Sequence, residues 1–571
     1  MARRVAALAA AAWVAASAAP AHAVEGAPVT GPLQRSGQWL TDDQGRAVIA
    51  HGVNVVRKVS PWVRTEFTER DARLLADEGF TVARIGFIWE GVEPQPGRYD
   101  DAYVARVAAL DDLLARYGIR TLVDFHQDAW SRGTGGDGAP EWATLGRTAD
   151  QSFAAFWRDE RAPDGVGIQT HFVNAWRHVA AAIRAHRNIL GLDPFNEPYP
   201  GSDYAPPCGD FSPCPDFESG ALAAFYRRVI AAIREGGARQ VIYPEGIAHS
   251  GVDTPALPRF ADAQTAYTFH YYCNITQLDP REASVDESSP EAAACAPVEQ
   301  RNIGIFHAYA RSLGVPTLLG EFSCNDVNRD NAQLVDLVDR AFTSWTVWAY
   351  YTGADDPADC PRQGLLVDDK QPAVAKQLKL DALVVPYAQA VAGTPRATDF
   401  DRASATFTLS WAPGPDALTQ VFVPARHYPH GYAAHATGAR VVSAPGAPWL
   451  LLRAEPGATS ASVKVTPRTD ASTHRPLDTG VLPLRESVAR ACASRRLLRY
   501  HLSPGTRLVA VTIGGRRIAT RARRHVVRVS LAGRPRGTVR LRLTLRTASG
   551  RRVVRTSVVH TCRPGHATVR R

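Results

Sequence analysis

Between residues 48 and 351, short apolar runs alternate with amphipathic stretches, a rhythm that few folds accept. The runs are Val48–Val56, Thr81–Ile88, Arg120–Phe125, Ile189–Asn196, Gln240–Pro244, Thr265–Tyr272, Thr317–Glu321 and Thr346–Tyr351. Glu69–Glu78, Tyr103–Tyr117, Thr170–His186, Ala221–Glu235, Gly304–Ser312 and Asn331–Phe342, which lie between them, show helical periodicity. Near-continuous apolar strands alternating with helices belong to a parallel sheet covered on its faces. Eight such units predict an α/β fold, a (β/α)8 barrel with insertions. Gln38–Gly45 reads as a hairpin capping the barrel floor. In such a barrel, reactive groups lie where strands end.

Two of the runs end in glutamate. Gly191-Leu-Asp-Pro-Phe-Asn-Glu-Pro closes on Asn196-Glu197, with Pro198 stopping any continuation, and Val315-Pro-Thr-Leu-Leu-Gly-Glu321 closes on the second. A carboxyl at the mouth of a buried strand has low dielectric behind it and substrate in front, which suits a general acid. Two such carboxyls facing one cleft form the pair that glycoside hydrolysis requires. Other strand-end residues fit the same site. Arg84, in a buried run, needs a carboxylate partner, and Glu321 is the natural one; an arginine stapling two strands is the alternative. His126 and Asp128 suit sugar hydroxyls, and the His270 imidazole suits a proton-transfer network. Tyr272 can hold the nucleophile, and Trp348 offers either a stacking face or core packing.

Past Leu383 the helical pattern stops, and alternating stretches such as Ala405–Trp411, Thr419–Val423 and Ser460–Val465 predict a small antiparallel β-sandwich. The expected organisation is a signal peptide over 1–23, a catalytic domain over 24–383, the sandwich over 384–468, a linker over 469–480, and a basic immunoglobulin-like β module over 481–571. The signal reading rests on Arg3-Arg4, the apolar run Val5–Ala19 and the Ala21-His22-Ala23 cleavage pattern, and it places the protein outside the cell. An oxidising setting favours disulfides for the eight cysteines. Cys208 and Cys214 suit a local bridge, Cys492 and Cys562 bracket the last module, and no spacing fits a zinc site. Residues 481–571 carry 23 Arg, no Lys and one acid, a charge of +22 that leaves −12 for the rest of a chain totalling +10. Such a tail can hold the enzyme on an anionic surface; arginine-rich solvated strands are the plainer account.

Arg84, His126, Asn196-Glu197-Pro198, His270-x-Tyr272, Glu321 and Trp348 occur in the strand order of glycoside hydrolase family 5. More narrowly, the chain resembles the endoglycoceramidase-related subgroup. That likeness rests on Gly52-Val-Asn-Val-Val-Arg-Lys58, Asp124-Phe-His-Gln-Asp-Ala-Trp130, the Gly-rich loop Gly133–Trp142, Asn196-Glu-Pro-Tyr-Pro-Gly201 and the sandwich after the barrel. The resemblance implies a retaining hydrolase that frees an intact oligosaccharide from the ceramide of a glycosphingolipid. Glu197 would be its acid/base and Glu321 its nucleophile. Asn196 would contact the reacting sugar, and Lys58, His126, Asp128, Tyr272 and Trp348 would line the glycan site. It requires no metal or other cofactor, involves no nucleic acid, and suits a monomer with peripheral membrane contact. Other family 5 β-glycosidases (endoglucanase, mannanase, glucosylceramidase, steryl glucosidase) are the alternatives, with a non-catalytic glycan-binding barrel behind them. Phe322-Ser-Cys324 departs from the subgroup's expected Phe-Gly, which leaves Cys324 free or bridged, with Cys273 a candidate partner. Trp130, Trp142, Phe153, Phe156 and Trp157 offer either an acyl-chain wall or a loop folded over its own aromatics.

Overall fold

The structure, a computed structural model, describes residues 29, 31–204, 208, 213–247, 255–273, 290–353 and 363–468. In the tail it describes residue 520 and the strands given below. The signal segment 1–23, the linker 469–480, and Cys360, Cys492 and Cys562 lie outside the described residues. Eight parallel strands form the centre: β1 (His51–Val55), β2 (Val82–Ile88), β3 (Arg120–His126), β4 (Ile189–Asp193), β5 (Val241–Ile242), β6 (Tyr267–His270), β7 (Thr317–Glu321) and β8 (Ser344–Val347). Their order runs β5-β4-β3-β2-β1-β8-β7-β6, and parallel bridges Ile242–Thr265 and Glu245–Thr268 close the ring between β5 and β6. Every residue of β1 to β6 is buried, as a barrel sheathed in helices requires. Gly52 permits the close approach of β1 to β2, since a Cβ there would sit 1.9 Å from the Val82 carbonyl oxygen.

The outer helices are α1 (Glu69–Asp77), α2 (Asp101–Ala115), α3 (Ala149–Trp157), α4 (Ile168–Ile183), α5 (Ala223–Glu235), α6 (Pro290–Leu313), α7 (Asn328–Arg340) and α8 (Gln377–Leu383). Their starts follow capping chemistry. Asp71 accepts the Thr68 backbone N–H at 2.8 Å before α1, and Asp100 accepts the Tyr103 N–H at 2.9 Å at the start of α2. Strand ends differ from the sequence expectation by a few residues. β4 stops at Asp193 because Pro194 has no N–H for the ladder.

The sandwich contains β9 (Tyr387–Val391), β10 (Gly393–Asp401), β11 (Thr406–Pro413), β12 (Thr419–Phe422), β13 (Tyr432–Thr437), β14 (Ala439–Val441), β15 (Trp449–Ala454) and β16 (Ala461–Pro467). One of its sheets takes in the N-terminal strands Gln34–Ser36, Trp39–Thr41 and Ala47–Val48, with Val48 opposite Ala390. The hairpin near Gln38 does cap the floor: Leu33 and Leu40 pack with Val82, Leu122, Leu190, Val241 and Leu318. Its second role, as the edge of the C-terminal sheet, was not legible from local pattern.

The tail is a separate unit. Its strands β17 (Leu497–His501), β18 (Arg507–Ile513), β19 (Arg516–Ile518), β20 (Ala522–Arg523), β21 (Val526–Ser530), β22 (Gly537–Arg546) and β23 (Arg552–Thr561) form two antiparallel sheets, β17-β21-β20 and β19-β18-β22-β23.

Candidate active site

The barrel's C-terminal face gathers all ten residues singled out from sequence. Arg84, fully buried on β2, donates from Nη1 to Glu321 Oε1 at 2.7 Å, as the burial argument required. The same guanidinium also pairs with Asp193 at 2.9 Å and Asp124 at 3.0 Å, and donates to Asn196 Oδ1 at 2.7 Å and Asn54 Oδ1 at 3.1 Å. Both readings of Arg84, carboxylate partner and strand staple, hold together. Tyr272 Oη donates to Glu321 Oε2 at 2.8 Å, so each oxygen of Glu321 has its own donor. Burial and the neighbouring Glu321 push the Tyr272 phenol well above its ordinary value, which keeps it a donor.

Glu197 occupies the left-handed region, with φ of 44°. Its backbone is clamped there: the N–H donates to Glu245 Oε2 at 2.9 Å, and the carbonyl accepts from Gln127 Nε2 at 3.0 Å. Strained backbone of this kind persists where surrounding contacts over-determine it. His270 Nδ1 lies 3.0 Å from Glu197 Oε1, 3.3 Å from Glu245 Oε1 and 3.6 Å from Glu321 Oε2. One atom each from Glu197, His270 and Glu321 lie within 4.8 Å of one another. Retaining glycosidases hold their carboxyls about 5 Å apart, whereas inverting ones need ~6.5–9.5 Å for a water. Gly320 makes the cluster possible, because a Cβ there would come within 2.7 Å of His270 Nε2.

Glu245 is the residue that sequence reasoning missed. It is buried, and burial followed by the charges of Asp193 and Glu197 raises its pKa well above the usual carboxyl range. The signal was available: it follows the run Gln240–Pro244, as Glu197 and Glu321 end theirs. Asp193 was also passed over inside a mostly apolar run. Burial lifts it to about 6 against the pull of Arg84.

A second group flanks the pair. Lys58 forms an ion pair with Asp128, and its ammonium lies 4.6 Å over the Trp348 ring. His126 Nδ1 is 2.8 Å from Asp124 Oδ2, its Nε2 is 3.5 Å from Asp128, and its ring stacks on Trp348 at 5.2 Å. Burial would lower His126, but Asp124 and Asp128 outweigh it and raise it well above 6.5. Asp128 is drawn down to about 2: burial works the other way, and Lys58 and His126 prevail. Trp348, 4 % exposed, carries Lys58 and His126 and offers little face to a sugar ring.

Two sets of alternatives are resolved. Trp130, Phe153 and Phe156 are buried, packed edge-on with one another and with Trp89, so this loop is folded over its own aromatics and presents no acyl-chain wall through them. Trp142 and Trp157 are half-buried against the same cluster. Cys273 pairs with Cys295, not with Cys324, which is itself disulfide-bonded; the Cys208–Cys214 bridge forms as its spacing predicts.

Comparison with known proteins agrees with this geometry. Residues 41–353 match the family model for cellulase (glycosyl hydrolase family 5), and residues 386–466 match the glycoside hydrolase family 5 C-terminal domain. Endoglycoceramidase I of Rhodococcus hoagii is 30% identical over 446 residues, 74% of this chain and 85% of that protein. The lactosyl-enzyme intermediate of endo-glycoceramidase II from Rhodococcus sp. superposes with a TM-score of 0.61 at 26% identity, covering 75% of this chain and 99% of that one. Its ganglioside GM3 complex gives a TM-score of 0.61 at 25% identity, over 76% and 100%. The chain belongs to glycoside hydrolase family 5, among the endoglycoceramidase-related retaining enzymes.

Proposed function

We propose that this enzyme cleaves the bond between oligosaccharide and ceramide in glycosphingolipids, releasing both parts intact. The observation that carries the chemistry is the Glu197–His270–Glu321 cluster with Glu321 held by Arg84 and Tyr272. The amphiphilic substrate class is supported by the endoglycoceramidases that the chain resembles over 74–76% of its length.

Glu321, with a donor on each oxygen, attacks the anomeric carbon. Glu197 gives its proton to the glycosidic oxygen, so ceramide leaves as the alcohol and a glycosyl ester remains on Glu321. Glu197, now a carboxylate, takes a proton from water as that water attacks the ester, restoring both groups. His270 Nδ1 follows the charge as it moves between the two glutamates. Asn196, fixed by its donation to the Gln127 carbonyl at 2.9 Å, meets the 2-hydroxyl of the reacting sugar in this reading. Lys58, His126 and Asp128 receive the outer hydroxyls.

Mass spectrometry of products from mixed glycosphingolipids in detergent tests the reading. Intact oligosaccharide together with free ceramide is expected; single sugars alone, or hydrolysis only of cello- or manno-oligosaccharides, would overturn it. Glu321→Gln is expected to abolish turnover while the fold persists. Glu197→Ala is expected to regain activity with azide on activated substrates, giving a glycosyl azide of retained configuration. The signal-like N-terminus and the disulfides Cys208–Cys214 and Cys273–Cys295 support action outside the cell. N-terminal sequencing of extracellular protein, expected to begin near Val24, tests the export.

A further inference from the structure

The tail's four-stranded sheet packs one face on its own core and sets arginines among small and polar residues on the other. In β22, Leu541, Leu543 and Leu545 are buried with Val511 and Ile513 of β18, so strand alternation places Arg542 and Arg546 on the opposite face. Register carries the pattern sideways. Arg546 stands opposite Arg507 of β18 and Arg552 of β23; Arg542 stands opposite Thr512, whose other neighbour is Arg517 of β19. All five arginines are exposed. Arg517 Nη2 donates to the Val509 carbonyl at 3.1 Å, which holds its guanidinium along the sheet.

Like charges directly across a sheet destabilise it. The row Arg507–Arg546–Arg552 sets three side by side at strand spacing, ~5 Å, and residues 487–571 contain no Asp or Glu to relieve them. Water and salt screen such a row in part; a partner that is multiply anionic and flat enough to meet two rows of a sheet at once would neutralise it. The family models end at residue 466, so the face lies beyond what the family accounts for.

We propose that this arginine face seats on the surface of an anionic lipid bilayer, pairing its guanidinium groups with lipid phosphates. The choice of a bilayer over a soluble polymer rests on the amphiphilic substrate proposed above, because a bilayer is where such a substrate resides, and on an array that extends across strands as well as along them. Each basic side chain near an anionic membrane contributes about 1 kcal/mol, roughly fivefold in partitioning. Neutralising the row of three therefore weakens binding on the order of 100-fold.

The test is co-sedimentation of the full chain with vesicles free of glycolipid, made of phosphatidylcholine alone or with phosphatidylglycerol. The parent is expected to bind only the phosphatidylglycerol vesicles and to leave them as salt rises. R507S/R546S/R552S is expected to lose that binding, while R507K/R546K/R552K keeps it. Both variants are expected to hydrolyse detergent-dispersed substrate like the parent. Equal sedimentation of the serine variant, salt-insensitive binding to phosphatidylcholine, or stronger retention by soluble polyphosphate or DNA than by the vesicles would each overturn the proposal. Because these vesicles carry no substrate, failure here leaves the hydrolase reading untouched. Loss of hydrolysis in the product assay leaves the vesicle result standing.

Discussion

Glu245, 1% exposed, fixes the strained backbone of Glu197 by accepting its N–H, which makes it a positioning residue. Glu245→Ala removes the acceptor of the Glu197 N–H and is expected to lower kcat on the order of 100-fold with little change in KM, as a misplaced catalytic group does. Glu245→Gln keeps an acceptor oxygen and should be milder. Burial raises the Glu245 pKa well above the usual carboxyl range, so the uncharged glutamine is expected to leave the pH dependence of kcat little shifted; a displaced acid limb would show that Glu245 is charged. Arg84 has a structural as well as a catalytic reach. Removing it strands Asp193 and Asp124 in a buried site, so Arg84→Ala is expected to cost about 3–5 kcal/mol in denaturant unfolding. At this scale the sequence revealed residues whose chemistry is conspicuous against an apolar run, such as Glu197 and Arg84. It hid Asp193, Glu245 and Gln127, because their partners are brought close only by the closing of the barrel.

The elements were legible wherever an apolar run is flanked by turn or capping chemistry, and all eight barrel strands fall within or beside the expected runs. The segment after β3 was not: five aromatics on one stretch suit a surface wall and an interior cluster equally, and only the packing of Trp89, Phe172 and Phe195 around them decides for the interior. Helix α6 carries a further consequence. His307 accepts or donates a hydrogen bond with Thr343 Oγ1 at 2.9 Å, and burial together with Arg311 lowers its pKa to about 4. Unfolded histidine titrates near 6.5, so between those values the unfolded chain binds the extra proton and stability falls as pH falls. The loss is expected to reach roughly 3 kcal/mol by pH 4 and to be absent in His307→Gln, as read from urea unfolding across that range.

At the scale of the molecule, barrel and sandwich form one folding unit. Arg402 pairs with Asp336 of α7 at 2.9 Å, Arg426 with Glu78 at 2.8 Å, and Phe422 lies over Gly79, where any Cβ would clash. A chain ending at residue 383 is expected to aggregate, and one ending at 468 to stay soluble with a single cooperative melt. A monomeric, cooperatively melting 1–383 fragment would contradict this. Tyr387 Oη donates to the Gly79 carbonyl at 2.9 Å across 308 residues of chain, and the N-terminal strands, paired with one another through Leu40 and Val48, join the rest of their sheet only where Val48 meets Ala390. The enzyme is thus fastened from its far end. While it is being synthesised, its N-terminal strands, paired only with one another, have no larger sheet to join until β9 has left the ribosome. A chain that postpones its own completion in this way stays pliant until synthesis is nearly done.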